Sequence, residues 1–145
     1  MDKARVLFLC TGNSARSQMA EALLRHHKGD YFDVYSAGLE PKWINPYTIR
    51  VMNEMGIDIS QQYSKSLREY LGHMLFTYVI TVCDHAEETC STTFLTDAQG
   101  RHLHWSFEDP AAFEGSNEQR LEIFRHVRDL IDTQIREWVT KLPHE

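Results

Sequence analysis

No apolar run in this sequence of 145 residues approaches the roughly 18 residues of a membrane-spanning helix. The first strand-like segment begins within five residues of Met1, which leaves no room for a secretory leader. The two absences point to a cytoplasmic protein. No internal repeat, low-complexity tract or interdomain linker interrupts the chain, so residues 1–145 read as a single domain long enough to bury a full core. A formal net charge of −6 with no polybasic segment argues against nucleic acid or an anionic membrane as partner. No association motif is evident, and a monomer is expected. Cysteine is scarce as well. Three cysteines in such a chain exclude a structural disulfide framework and leave metal or redox chemistry, and the odd count fits one nucleophile plus a pair. A short Cys-x2-Cys pairing is missing, and Cys83, His85 and Cys90 have no evident fourth ligand, so neither a metal nor another cofactor is expected.

What is present begins near the start of the chain. The apolar run Arg5-Val6-Leu7-Phe8-Leu9 reads as a strand, stops at Cys10, and passes through Thr11-Gly12-Asn13-Ser14-Ala15-Arg16-Ser17 into a helical pattern. A small-residue loop entering a helix leaves its backbone N–H groups unpaired; together with the positive end of the helix dipole they form an anion cradle. Gly12 would supply the positive φ of such a nest. Arg16, at the helix start, carries a planar fork that grips two oxygens of a tetrahedral oxyanion. The field that holds an anion also favours a thiolate. Cys10 is therefore expected to ionise below about 8.5, toward the 3.5–7.5 range of cysteines at helix N-termini, with Ser17 donating to its sulfur. A cysteine that merely closed a core strand would leave the glycine, the arginine and the small residues unexplained.

Strand-like and helix-like segments alternate from end to end, the pattern of a parallel sheet with helices on both faces. The spacing predicts a helix over 14–27 with Met19, Ala20, Leu23 and Leu24 as its apolar stripe, then a strand over 32–37 closed by Gly38. Asn45 and Pro46 are suited to the N-cap and first position of a helix through Met52 and Met55, stopping at Gly56. A short helix follows around 66–71. A third strand over 78–82 delivers Cys83 as the first delivers Cys10, and a fourth spans 102–107. Ser116-Asn117-Glu118-Gln119 has the form of a capping box before a long helix carrying Leu121, Phe124, Val127, Ile131, Ile135 and Trp138. Residues 91–100 read as a mobile loop, and Trp43, Trp105 and Trp138 as anchors of the core and loop edges. His102 and His104 share a strand face, where a packed or solvated pair outweighs a metal site. Ligands of open α/β sheets bind beyond the carboxyl ends of strands at a switch point, so Cys10, Cys83 and Asp109, each following a strand, are expected to converge.

The run from Val6 to Ala22, with Val34-Tyr35-Ser36-Ala37-Gly38, Met55-Gly56-Ile57-Asp58-Ile59-Ser60, Cys83 to Cys90 and His104-Trp105-Ser106-Phe107-Glu108-Asp109-Pro110-Ala111, resembles the low-molecular-weight tyrosine phosphatase-like family. Within that family it is most similar to the thioredoxin-coupled arsenate reductases, and the resemblance covers nearly the whole chain. It implies a doubly wound, four-stranded parallel α/β sheet flanked by helices, with an oxyanion loop from Thr11 to Ser17 that includes Arg16. It also implies a relay. Cys10 attacks arsenate with Asp109 as proton donor, Cys83 attacks Cys10 and releases arsenite, and Cys90 attacks Cys83. The resulting disulfide between Cys83 and Cys90 is left for thioredoxin or a similar dithiol protein.

The second and third cysteines bear on the choice within that family. A phosphatase needs one thiolate, a general acid and water, whereas a reductase must supply two electrons, which cysteines do by closing a disulfide. Were residues 83–90 helical, the two Cα atoms would lie about 10 Å apart, beyond the ~4.4–6.8 Å of a disulfide. The segment would have to unwind. Ala111 and Ala112 follow Asp109-Pro110 where the phosphatase branch has an aromatic residue, and Ala15 stands where many of the reductases have a further cysteine. Lys65 stands where some relatives have an aspartate that binds potassium with Asn13, Glu21 and Ser36; here the ammonium would take the cation's place. Two other readings stay open: a phosphatase acting through Cys10, Arg16 and Asp109, and a non-enzymatic oxyanion-binding redox sensor.

Overall fold

The computed structural model describes residues 3–84, 86 and 95–142. Strands β1 (Ala4–Cys10), β2 (Phe32–Gly38), β3 (Phe76–Thr81) and β4 (Thr96–His104) form one sheet in the order β2-β1-β3-β4, every pair parallel. The helices that lie wholly within the described residues are α1 (Arg16–Lys28), α2 (Pro46–Asn53) and α3 (Asn117–Lys141), with 3-10 turns at Leu67–Glu69 and Pro110–Ala112. The chain lays β2 on one side of β1 and then crosses to build β3 and β4 on the other. The topological switch therefore falls between β1 and β3, the strands that lead to Cys10 and Cys83.

As an inner strand covered on both faces, β1 is apolar without alternation; Val6, Leu7, Phe8 and Leu9 are fully buried. Phe8 meets Trp105 at 6.0 Å between ring centroids, and Trp105 meets Trp138 of α3 at 5.6 Å. Trp138 also stacks on Phe32 and abuts Tyr78 edge-on. Side chains alternate across a strand, so Tyr35, paired in register with Leu7, lies on the opposite face, where it packs edge-on against Tyr70 and Phe76. The predicted stripe of the long helix, Leu121 to Trp138, is buried throughout. Its capping box forms: the Ser116 hydroxyl accepts from the Gln119 N–H and the Gln119 side chain accepts from the Ser116 N–H. Asn45 caps α2 by accepting from the Tyr47 N–H at 2.9 Å, and Gly56 follows the helix with a φ of 74°.

Three expectations are corrected. β4 starts at Thr96 rather than 102 and ends at His104, so residues 96–100 belong to the sheet and not to a loop; residues 91–94 lie outside those described. The cause is a register shift, Phe76 pairing with Thr96 but Tyr78 with Arg101, which absorbs the extra residues in an irregular bulge. Gly100 makes that bulge feasible, because a Cβ there would stand 2.3 Å from Thr96 Cβ. The Asp97 carboxylate accepts from the Thr77 hydroxyl at 2.8 Å and fastens the bulge to β3. Trp43 anchors nothing: it is 85% exposed, since the segment that carries it is spoken for by its backbone.

Candidate active site

That backbone shapes the anion loop. Leu39, Glu40, Lys42 and Asn45 donate their N–H groups to the carbonyls of Cys10, Thr11, Gly12 and Ser14, at 2.8–3.2 Å. The Ser64 hydroxyl adds a bond to Gly12 O, and the Thr48 hydroxyl one to Ser14 O. In a trans peptide the carbonyl of one residue and the N–H of the next point in opposite directions. Turning the carbonyls of residues 11–14 outward therefore aims the following N–H groups inward, toward Cys10. The loop runs into α1 at Arg16, a helix with neither a side-chain cap nor an acidic residue in its first turn, so its positive end also stays open to an anion.

The positive φ is at Asn13 (49°) and not at Gly12. Asparagine tolerates this region when its side chain is bonded locally, and Asn13, fully buried, is bonded at both ends. Its Nδ2 donates to Ser17 Oγ at 2.8 Å and Ser36 Oγ at 2.9 Å; its Oδ1 accepts from Gln18 Nε2 at 2.9 Å and the Lys65 N–H at 2.8 Å. Gly12 packs beneath the stem of Lys42. The glycine the loop cannot do without is Gly38, where a Cβ would lie 2.6 Å from Thr11 O and 2.9 Å from Asn13 N. The sequence marked Gly38 only as the end of a strand, because the loop crossing over it is a tertiary contact.

Arg16, nearly buried, donates from Nη1 to Phe107 O at 3.0 Å, and its Nη2 lies 3.8 Å from Asp109 Oδ2. The guanidinium thus joins the cradle to the segment after β4. Asp109 also caps the 3-10 turn, accepting from the Ala111 N–H at 3.0 Å. Cys10 and Cys83, both buried and free, meet at the floor of the loop, and Thr11 Oγ1 lies 3.4 Å from Cys83 Sγ. The two sulfurs hold a proton between them. Donating its S–H to Cys83 raises Cys10 well above an ordinary thiol, and burial adds to this although Arg16 opposes it. Accepting that bond, with others from the Thr11 hydroxyl and the Ala86 N–H, holds Cys83 down at about 5. The charge expected at Cys10 is therefore favoured at Cys83, the two adjacent sulfurs titrating as a pair. Cys90, His85 and the carboxylates at 87 and 88 lie outside the described residues.

Behind the loop, Glu21 accepts from Ser36 Oγ at 2.5 Å and pairs with Arg25 at 2.7 Å. Lys65 is buried beside them, donating from Nζ to Tyr63 O at 2.8 Å with Glu21 Oε1 at 3.5 Å. Burial lowers its affinity for the proton and Glu21 opposes the change. An ammonium standing among these oxygens does not fit a potassium ion beside it. His104 and Asp84 form a pair that sequence reasoning did not foresee, described below. Among the described residues, no cluster of three or more His, Cys, Asp or Glu side chains is placed to hold a metal ion. Among the described residues, no helix is long and apolar enough to cross a membrane.

A buried strand-end cysteine, a loop with its carbonyls turned outward, and an arginine six residues on define the class, and residues 5–145 match the family of low molecular weight phosphotyrosine protein phosphatases. The chain belongs to that family. It is 44% identical to the arsenate reductase of Shouchella clausii over 139 residues, covering 95% of this chain and 96% of that protein. A solved arsenate reductase in a phosphate-binding state superposes with a TM-score of 0.76 at 30% identity, covering 97% of this chain and 99% of that one. A thioredoxin-dependent arsenate reductase from Corynebacterium glutamicum superposes with a TM-score of 0.68 at 28% identity, covering 95% of this chain and 61% of that one.

Proposed function

We propose that this chain reduces arsenate to arsenite, with Cys10, Cys83 and Cys90 acting in that order and a thioredoxin-like dithiol protein restoring them. The observation that carries this reading is the second sulfur at the floor of the anion loop: hydrolysis of a phosphoryl-cysteine has no use for Cys83, whereas electron transfer to a bound oxyanion requires it. Its likeness to proteins named arsenate reductase supports the same substrate.

The N–H groups of residues 11–17 and the Arg16 fork hold the arsenate oxygens over Cys10, which passes its proton along the existing hydrogen bond to Cys83 and bonds to arsenic. An arsenate oxygen leaves as water, protonated from Asp109. Cys83, giving up its proton, then attacks Cys10 Sγ. The sulfur–sulfur bond forms, the sulfur–arsenic bond breaks, and its electron pair stays on arsenic, which departs as arsenite. Cys90 attacks Cys83 and frees Cys10, and the dithiol partner returns two electrons to the Cys83–Cys90 disulfide. In this reading the chain is one domain and a monomer, without nucleic acid or membrane as partner, in a compartment that keeps thiols reduced, such as the cytoplasm.

The test is to mix fully reduced protein anaerobically with arsenate or with phosphate, count free thiols and map disulfides by mass spectrometry. Arsenate, and not phosphate, should remove two thiols, recovered as a Cys83–Cys90 disulfide. Cys90→Ser should abolish multiple turnover while sparing any phosphatase activity. Three intact thiols after arsenate would overturn the reductase.

A further inference from the structure

Among the described residues, the backbone bonds of the sheet stop short of Cys83. The last ties are Val82 N–H to Leu9 O at 3.0 Å and Trp105 N–H to Thr81 O at 2.8 Å, both before Cys83. Asp84 ties the chain immediately after it to the end of β4. Its Oδ1 accepts from His104 Nε2 at 2.9 Å and from Ser106 Oγ at 3.1 Å. The other nitrogen of the same imidazole, Nδ1, is 2.8 Å from Thr81 Oγ1. With the ring proton on Nε2, Nδ1 accepts from the Thr81 hydroxyl and a neutral imidazole serves both bonds. Thr81 and Asp84 are thus tied to one rigid ring at the end of β4, and Cys83 lies in the short arc between them.

The tie does little for the fold. The Asp84 side chain is 71% exposed, and exposed pairs of this kind contribute little to stability. Its place is the informative feature: it immobilises the residue next to a sulfur that must approach another sulfur in line, where a displacement on the order of 1 Å costs rate steeply.

We propose that Asp84, held by His104 and Ser106, is the positioning residue for Cys83, fixing the direction from which that sulfur attacks the arsenic-bearing Cys10. The inference rests on the relay proposed above. It is tested by rapid-quench single turnovers of the reduced full chain with excess arsenate, following free thiols in time, beside phosphate affinity measured by titration calorimetry. Asp84→Ala should slow thiol loss about tenfold to a hundredfold while phosphate binds as in the wild type. Asp84→Asn, which keeps the accepting oxygen, should stay within about threefold. His104→Ala should slow the same step, and the double variant should be no slower than the worse single one, because both remove one tie.

A wild type that keeps all its thiols overturns the relay. A wild type that loses two thiols while Asp84→Ala matches its rate leaves the relay standing and overturns the positioning role. Asp84→Asn as slow as Asp84→Ala also overturns it, since charge and not the tie would then matter. Should Asp84→Ala fail to fold, His104→Gln and Ser106→Ala carry the same comparison.

Discussion

The strand ends carrying Cys10 and Cys83 begin alike and finish differently. Both follow inner parallel strands, and both sulfurs are buried. After Cys10 the chain is held from both sides: neighbours take its carbonyls, Asn13 is bonded at each end, and the N–H groups have nowhere to turn but inward. After Cys83, among the described residues, the Thr11 hydroxyl and the Ala86 N–H meet the sulfur and Asp84 ties the chain to β4. A rigid cradle suits an attack on an oxyanion, whose four oxygens must be matched. A sulfur placed by a side-chain tie suits an in-line attack on another sulfur. The pairing of the two sulfurs also sets the resting proton: Cys10 donates to Cys83, and the Thr11 hydroxyl and the Ala86 N–H favour the charge there.

The largest expected effect falls on the rigid side. Gly38→Ala places a Cβ against Thr11 O and Asn13 N. It should cost about 1–3 kcal/mol of stability, read by denaturant unfolding, and weaken phosphate binding more than tenfold; unchanged phosphate affinity would show that the cradle is softer than described. Next is the shared proton. Thiolate absorbance near 240 nm should persist on lowering the pH until about 5 and then vanish as Cys83 is protonated, because its pKa is depressed and the charged form is the one present above it. Cys83→Ser should remove that low-pH transition; a transition that survived would place the thiolate on Cys10. The smallest effect concerns Lys65. With its ammonium already beside Glu21 and Tyr63 O, turnover should not change when sodium is replaced by potassium at constant ionic strength, and a clear rise would refute the substitution of lysine for the ion.

Most of the sheet could be read from the sequence because its signals are local: a continuous apolar run for β1, an asparagine and a proline ahead of α2, and a capping box ahead of α3. The switch point led to the expectation that Cys10, Cys83 and Asp109 converge, whereas the approach of Arg16 to Asp109 had no signal in the sequence. Harder to read was whatever depends on distant chain. A glycine is the usual bearer of positive φ, yet here Asn13 bears it, because Ser36, Lys65 and Gln18 converge on its side chain. The early start of β4 needed the bulge that Gly100 permits. Trp43 looked like a core anchor by type, and is exposed because only its neighbours' backbone is used. The proton on Cys10 was invisible because its position depends on a second sulfur more than seventy residues away.

The strand order has one more consequence. Adjacent parallel strands lie about 4.8 Å apart, and two cysteines can be cross-linked when their Cα atoms are ~4.4–6.8 Å apart. Because β1 and β3 are neighbours, the sheet brings the strand ends that lead to Cys10 and Cys83 to within that range. Were β3 moved one place outward, the same residues would be a full strand too far apart, and no loop rearrangement short of remaking the sheet would restore the reach. The sheet serves as a jig, and any bond made across its end is one for which the fold has already set the gauge.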